Sequence, residues 1–226
     1  MADGKRLETL IFDLDGTLLD SLPGIRYSVE AAFRACGLAM GEVDLRSSIG
    51  PPIRTILARM AEKKPSDDEL DQLERSFRWS YDCEGWKMTP HYEGAAEALR
   101  RLRAEGRRLF VVSNKPRHIS MKILEAEGTA GLFEEIVTKD SRSPVYQDKH
   151  EMMRYLLQKW KIEPGECLMA GDTMEDAEAA SKTGMRFCLV THGYGGVPEN
   201  SSVPVALRID RFSELISRLT QEQRID

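Results

Sequence analysis

The sequence has little that would tie it to a membrane, a nucleic acid or an oxidising compartment. No apolar stretch approaches the length of about 20 residues needed to span a bilayer. The N-terminal "MADGKRLETLIFD" has no apolar core of signal-peptide length and runs straight into an apolar segment. A long basic run is missing and the net charge is −5, so binding to nucleic acid through a cationic face is not expected. There are four cysteines, Cys36, Cys83, Cys167 and Cys188, and no CxxC pair. That excludes the usual thiolate metal spacing and points to reduced thiols in the cytoplasm. The histidines, His91, His118, His150 and His192, share no metal-ligand spacing. Aromatic residues are 7% of the chain, and Trp79 and Trp86 read as packing area rather than stacking platforms. Internal repeats and low-complexity segments are absent.

What remains is a water-soluble composition, 41% hydrophobic and 31% charged, of a length that suits one core domain carrying a smaller insertion. Short apolar runs at 10–12 ("LIF"), 108–113 ("RLFVVS"), 135–138 ("EIVT"), 167–171 ("CLMAG") and 187–191 ("FCLVT") read as buried parallel strands. Segments of helical period lie between them: Ala95, Ala98, Leu99 and Leu102 share one face, as do Met153, Leu156, Leu157 and Trp160. The alternation predicts a doubly wound α/β parallel sheet with helices on both faces. Residues 19–87 break it. Ile25, Val29, Ala32, Phe33 and Cys36, then Ile53, Ile56, Leu57 and Met60, then Leu70, Leu73 and Phe77 recur at helical spacing, without a convincing strand. The expected organisation is a core of residues 1–18 and 88–226 with an all-helical cap of residues 19–87. Ser66 or Asp67 is the expected N-cap after the polar break "KKPSDDE". Leu19 to Ser21 is the expected exit from core to cap, and a helical insertion following a strand can act as a lid.

The chemistry gathers at the predicted strand ends, where an open α/β sheet places its ligands. Asp13 and Asp15 follow the first strand. If the extended backbone continues, both carboxylates face one volume, and one of them takes up a proton unless a cation relieves the repulsion. Gly16 lets the backbone turn and bring amide N–H groups towards an anion. "VVSNKP" offers the Ser113 hydroxyl and the Asn114 amide for phosphate oxygens. "GDTMED" offers Asp172 and, four residues on, Asp176, on the same face if a helix starts there. Each feature alone fits a turn or a helix cap. Together, at three strand ends of one βα alternation, they point to a metal-assisted phosphate site.

"DLDGTLLDS", "VVSNK" and "GDTMED" resemble, in order and over nearly the whole chain, the motifs of the haloacid dehalogenase-like hydrolase superfamily in its phosphatase branch. "SIGPPIRTIL" resembles a substrate-facing cap segment of phosphoglycolate phosphatase-like and 5′-nucleotidase-like members, and "THGYG" resembles the segment after their fifth strand. The resemblance implies a Mg²⁺-dependent phosphatase acting on a small phosphorylated metabolite, most simply phosphoglycolate, as a monomer or homodimer. Asp13 is implied as nucleophile and Asp15 as acid, then base. Asp13, the Asp15 carbonyl, Asp172 and Asp176 are implied around the metal, and Ser113, Asn114 and Gly16 around the phosphoryl group. The family's usual lysine with Pro-x-Pro is replaced here by "YQDKHEMMRYLL". Lys149 is the expected catalytic-site lysine, with Lys139 and Lys115 as rivals. Arg54 is a candidate for a carboxylate or second phosphate of the substrate, with exposed helix surface the equal alternative. A 5′-nucleotidase or a β-phosphoglucomutase-like phosphomutase would use the same site. A dehalogenase has no need of Asp15, Asp172 and Asp176 together, and a non-enzymatic relative would be marked by a degraded site.

Overall fold

The computed structural model describes residues 7–222. In chain order the elements are β1 (Thr9–Phe12), α1 (Leu22–Cys36), α2 (Ile53–Met60), α3 (Asp67–Cys83), α4 (Ala95–Ala104), β2 (Arg108–Ser113), α5 (Arg117–Ala126), β3 (Glu135–Thr138), α6 (Lys149–Trp160), β4 (Cys167–Gly171), α7 (Met174–Thr183), β5 (Arg186–Val190), β6 (Leu207–Ile209) and α8 (Phe212–Glu222). The six strands form one sheet in the order β3-β2-β1-β4-β5-β6, parallel at every pairing. This is the doubly wound α/β sheet the alternation predicts.

β1 lies between β2 and β4, and its four residues are all buried. A central parallel strand covered on both faces has no solvent side, so it reads as an unbroken apolar run rather than an alternation. α4 buries Ala95, Ala98, Leu99 and Leu102, the face its periodicity marks out. α6 buries Met152, Met153 and Leu156 in one apolar core cluster, with Leu157 and Trp160 packed against it. The strand the sequence did not reveal is β6. It has three residues, pairs only with β5 and alternates from half-buried to exposed to buried, too short for periodicity to register.

By its contacts the chain divides into two compact units, one of residues 20–90 and one containing 7–19 and 91–222. The sequence placed the crossings at 18/19 and 87/88. On the core side, Leu19 and His91 form a β-bridge and the Tyr92 N–H donates to the Leu18 carbonyl at 3.0 Å, which keeps both 19 and 91 with the sheet. The smaller unit holds α1, α2 and α3 and no strand longer than an isolated bridge. α1 begins with Pro23 in its first turn and ends at Gly37 with a left-handed φ of 66°. Gly24 is required by contact: a Cβ there would lie 2.2 Å from the Gly85 carbonyl oxygen. α3 starts at a capping box. The Ser66 side chain accepts from the Glu69 N–H, and Glu69 accepts in return from the Ser66 N–H at 2.7 Å. Trp79, expected to pack, is instead 72% exposed on α3, because Leu73, Phe77 and Tyr81 take that helix's buried stripe. No helix among the described residues is long and apolar enough to cross a membrane.

Candidate active site

In a parallel sheet every strand ends at the same edge. Here the edge carries Asp13 one residue past β1, Ser113 at the end of β2 and Asp172 one residue past β4. The Asp13 N–H donates to the Ala170 carbonyl at 3.0 Å, which prolongs the β1–β4 ladder by one step and fixes the root of the side chain. Then the chain coils. Thr17 and Leu19 N–H groups both donate to the Leu14 carbonyl, at 3.1 and 2.9 Å. Gly16 turns with φ 81°, and a Cβ there would lie 2.4 Å from Asp172 Oδ2, so only glycine fits both the conformation and the space.

Asp13, Asp172 and Asp176 are buried, and one carboxylate oxygen from each lies within 4.8 Å of the others. Asp172 is aimed by three donors: the Thr17 hydroxyl at 3.1 Å, and the N–H groups of Tyr194 at 2.8 Å and Gly195 at 3.1 Å. Asp176 stands at the third position of α7 in a capping box with Thr173, whose N–H donates to its Oδ2 at 3.1 Å. Thr173 is thus the N-cap, which leaves the Asp172 carboxylate to the cluster. Lys149 opens α6 behind its N-cap Asp148 and is 3% exposed. Its Nζ lies 2.6 Å from Asp176 Oδ1 and 3.0 Å from Asp13 Oδ2.

The charges inside do not balance. Three buried carboxylates face one buried ammonium. Burial first, then Asp176, Asp172 and Asp15, push the Asp13 carboxyl up to about 8 against the pull of Lys149. Burial and Asp176 likewise raise Asp172, while the Gly195 and Tyr194 N–H groups oppose them. For Lys149, burial works against the charge, but Asp13 and Asp176 outweigh it and the ammonium is held more firmly than usual. Asp13 Oδ1 is buried without a hydrogen-bond partner. A hard divalent cation with all-oxygen ligands fits such a cluster, since it supplies both the missing charge and a partner for that oxygen.

Several expectations change. The extended run stops at Phe12, yet Asp15 stays close enough to Asp13 for its charge to help raise the Asp13 carboxyl. Leu14 belongs to the turn, and Asp15 Oδ1 accepts from the Lys115 ammonium at 2.8 Å. Each aspartate therefore has its own lysine. Ser113 is buried at the edge, while Asn114 is exposed and its amide donates to Glu175 at 2.9 Å. Lys139 follows β3 with its N–H on the Ser113 carbonyl at 3.1 Å. In the other unit, the Arg54 guanidinium pairs with Asp71, Asp67 and Glu74. Within the residue 20–90 unit its charge is opposed by those three carboxylates of α3. Sequence reasoning missed Thr17, and the Tyr194 and Gly195 N–H groups, as the setters of Asp172. All three lie inside stretches it quoted, "DLDGTLLDS" and "THGYG".

Comparison with known proteins follows the same lines. The family model described as haloacid dehalogenase-like hydrolase matches residues 10–190. A phosphoglycolate phosphatase of Vibrio vulnificus is 30% identical over 208 residues, covering 88% of this chain and 91% of that protein. One of Cereibacter sphaeroides is 34% identical over 194 residues, covering 84% and 87%. The crystal structure of a Haemophilus somnus protein described as a predicted phosphoglycolate phosphatase superposes with a TM-score of 0.83 at 27% identity, covering 95% of this chain and 98% of that one. The chain belongs to the haloacid dehalogenase-like hydrolase family. Within it, the chain sides with the phosphatases and is a phosphoric monoester hydrolase.

Proposed function

We propose that the enzyme hydrolyses phosphoglycolate, or a similarly small phosphorylated acid, in a Mg²⁺-dependent reaction that passes through a phosphoryl group on Asp13. The observation that carries this reading is the buried cluster of Asp13, Asp172 and Asp176 against Lys149, with Asp13 Oδ1 left without a hydrogen bond. The names of the Vibrio and Cereibacter relatives support the substrate.

Asp13, Asp172 and the Asp15 carbonyl would hold Mg²⁺, with Asp176 bracing them from α7. Bound there, the ion supplies positive charge that keeps Asp13 ionised and offsets the charge of the phosphoryl oxygens. The Asp13 carboxylate attacks phosphorus, the ester P–O bond breaks, and the leaving oxygen takes a proton from Asp15. Water then attacks the same phosphorus and gives its proton to Asp15. Phosphate departs, and Asp13 is again a carboxylate. Lys149 opposes the charge of Asp13 and of the incoming phosphoryl group, and the Ser113 hydroxyl donates to a phosphoryl oxygen. The same reading places the enzyme in the cytoplasm, which suits four cysteines present as free thiols.

The test is phosphate release from phosphoglycolate by the wild type and by Asp13→Asn, each with Mg²⁺ and after chelation. Hydrolysis is expected only for the wild type with metal, with the phosphoryl group trapped on the peptide that carries Asp13. Near-normal turnover by Asp13→Asn would overturn the assignment. A sugar 1-phosphate returned as its 6-phosphate without free phosphate would make the enzyme a mutase instead.

A further inference from the structure

The hydrolysis above gives no task to Lys115. It lies two residues beyond the buried Ser113 and is 7% exposed. Its backbone is held on both sides: its N–H donates to Ser113 Oγ at 3.3 Å, and its carbonyl accepts from Ser120 Oγ of α5 at 3.5 Å. Its Nζ lies 2.8 Å from Asp15 Oδ1. A buried ammonium is costly unless negative charge opposes it, and in the ligand-free molecule Asp15 supplies that charge. Asp15 itself is more open, its side chain 25% exposed against 5% for Lys115.

The two lysines stand on different sides of the reaction. Lys149 is bound to the attacking side, Asp13 and Asp176. Lys115 is bound to Asp15, the residue that in the proposed function meets the departing oxygen. A cation one hydrogen bond from the proton donor is within reach of groups on the first carbons of the leaving alcohol, and of little that lies farther away. Phosphate oxygens have Lys149, Ser113 and the metal site to meet them. What Lys115 fits is a second anion, on the part of the substrate that leaves.

We infer that Lys115 determines specificity, pairing with a carboxylate borne directly on the ester carbon of the substrate. This rests on the phosphatase reading and narrows it. The substrate class is phosphate esters of short 2-hydroxy acids, in preference to sugar phosphates, nucleotides and uncharged phosphate esters. On binding, the substrate carboxylate takes over the ammonium, so the buried charge stays opposed while Asp15 holds the proton it gives to the leaving oxygen. Charge-assisted hydrogen bonds are worth enough to separate two substrates by roughly 10- to 100-fold.

The experiment compares kcat/KM for phosphoglycolate, for its methyl ester and for p-nitrophenyl phosphate, in the wild type and in Lys115→Met with Mg²⁺ present. The wild type is expected to prefer phosphoglycolate to the methyl ester by roughly 10- to 100-fold, carried mainly in KM. Lys115→Met is expected to erase that preference, while its kcat/KM for p-nitrophenyl phosphate changes by less. Equal losses on phosphoglycolate and its methyl ester would overturn the proposal, because a residue that only steadies Asp15 cannot tell those two alike leaving groups apart. If Lys115→Met does not fold, the wild-type comparison of acid with methyl ester still decides, and no preference there overturns the proposal. Absence of phosphate release from all three substrates would overturn the phosphatase reading itself, a result distinct from hydrolysis without discrimination.

Discussion

At the scale of single residues, the site is an arrangement of buried charges that each need an opposite. Lys149 opposes Asp13 and Asp176 at 3.0 and 2.6 Å with all three groups buried. Removing one partner of such a set leaves the others uncompensated, at a typical cost of about 3–5 kcal/mol. Lys149→Met is therefore expected to lower the unfolding free energy of the metal-free protein, measured in urea, by an amount of that order. Added Mg²⁺ should recover part of the loss, since the metal brings charge to the same carboxylates. Gly16→Ala is a sharper case. Its φ of 81° disfavours any side chain, and the added Cβ would meet Asp172 Oδ2. The expected result is weaker Mg²⁺ binding by calorimetry, with a stability loss of about 1–2 kcal/mol. Unchanged metal affinity would show that the loop can yield without moving Asp172.

At the scale of elements, helix starts and loop ties set where the groups stand. α3 depends on its capping box, and Ser66→Ala is expected to cost about 1 kcal/mol in denaturant unfolding. The effect should stay within the residue 20–90 unit. His91 is a tie of the other unit. Its Nδ1 is 3.1 Å from the Leu18 carbonyl and its Nε2 is 2.9 Å from Thr129 Oγ1. Burial lowers its pKa below the usual 6.5, with the Leu18 carbonyl opposing. Between that lowered value and 6.5 the unfolded chain holds more protons than the folded one. Stability contributed by His91 is therefore complete above the unfolded value and declines as pH falls below it. His91→Gln should flatten this acid limb in urea unfolding followed across pH, and an unchanged limb would mean other groups cause it.

At the scale of the whole molecule, folding and metal binding are linked through Asp13. Without metal its carboxyl is raised from 3.8 to about 8. The folded protein then holds a proton that the unfolded chain releases, so this contribution is full below the lower value and is lost as pH rises through the upper one. Chelated protein is expected to become less stable towards about pH 8, and Asp13→Asn should remove that slope. Mg²⁺ reverses the balance by keeping Asp13 ionised. At a hundredfold excess over its Kd it should add about 2.7 kcal/mol, read as a rise in Tm of roughly 5–10 °C. Proton release accompanies binding, so the gain should grow with pH, and a gain independent of pH would place the metal elsewhere.

Alternating apolar runs and helical faces were enough to define the parallel sheet, five of its six strands and the helical insertion, because those patterns are local and repeat at the period of the backbone. Short motifs likewise marked Asp13 and Asp172, each one residue past a strand that the sequence itself locates, and Asp176 in the first turn of α7. Other features were decided in space. Lys115 reaches Asp15 across 100 residues of chain and Thr17 reaches Asp172 across 155. Arg54 is drawn to α3, and β6 exists only by pairing with β5. Which lysine meets which carboxylate depends on strand order and on the coil after β1. No residue spacing records that choice, because a buried charge takes the partner that the packed sheet brings within about 3 Å.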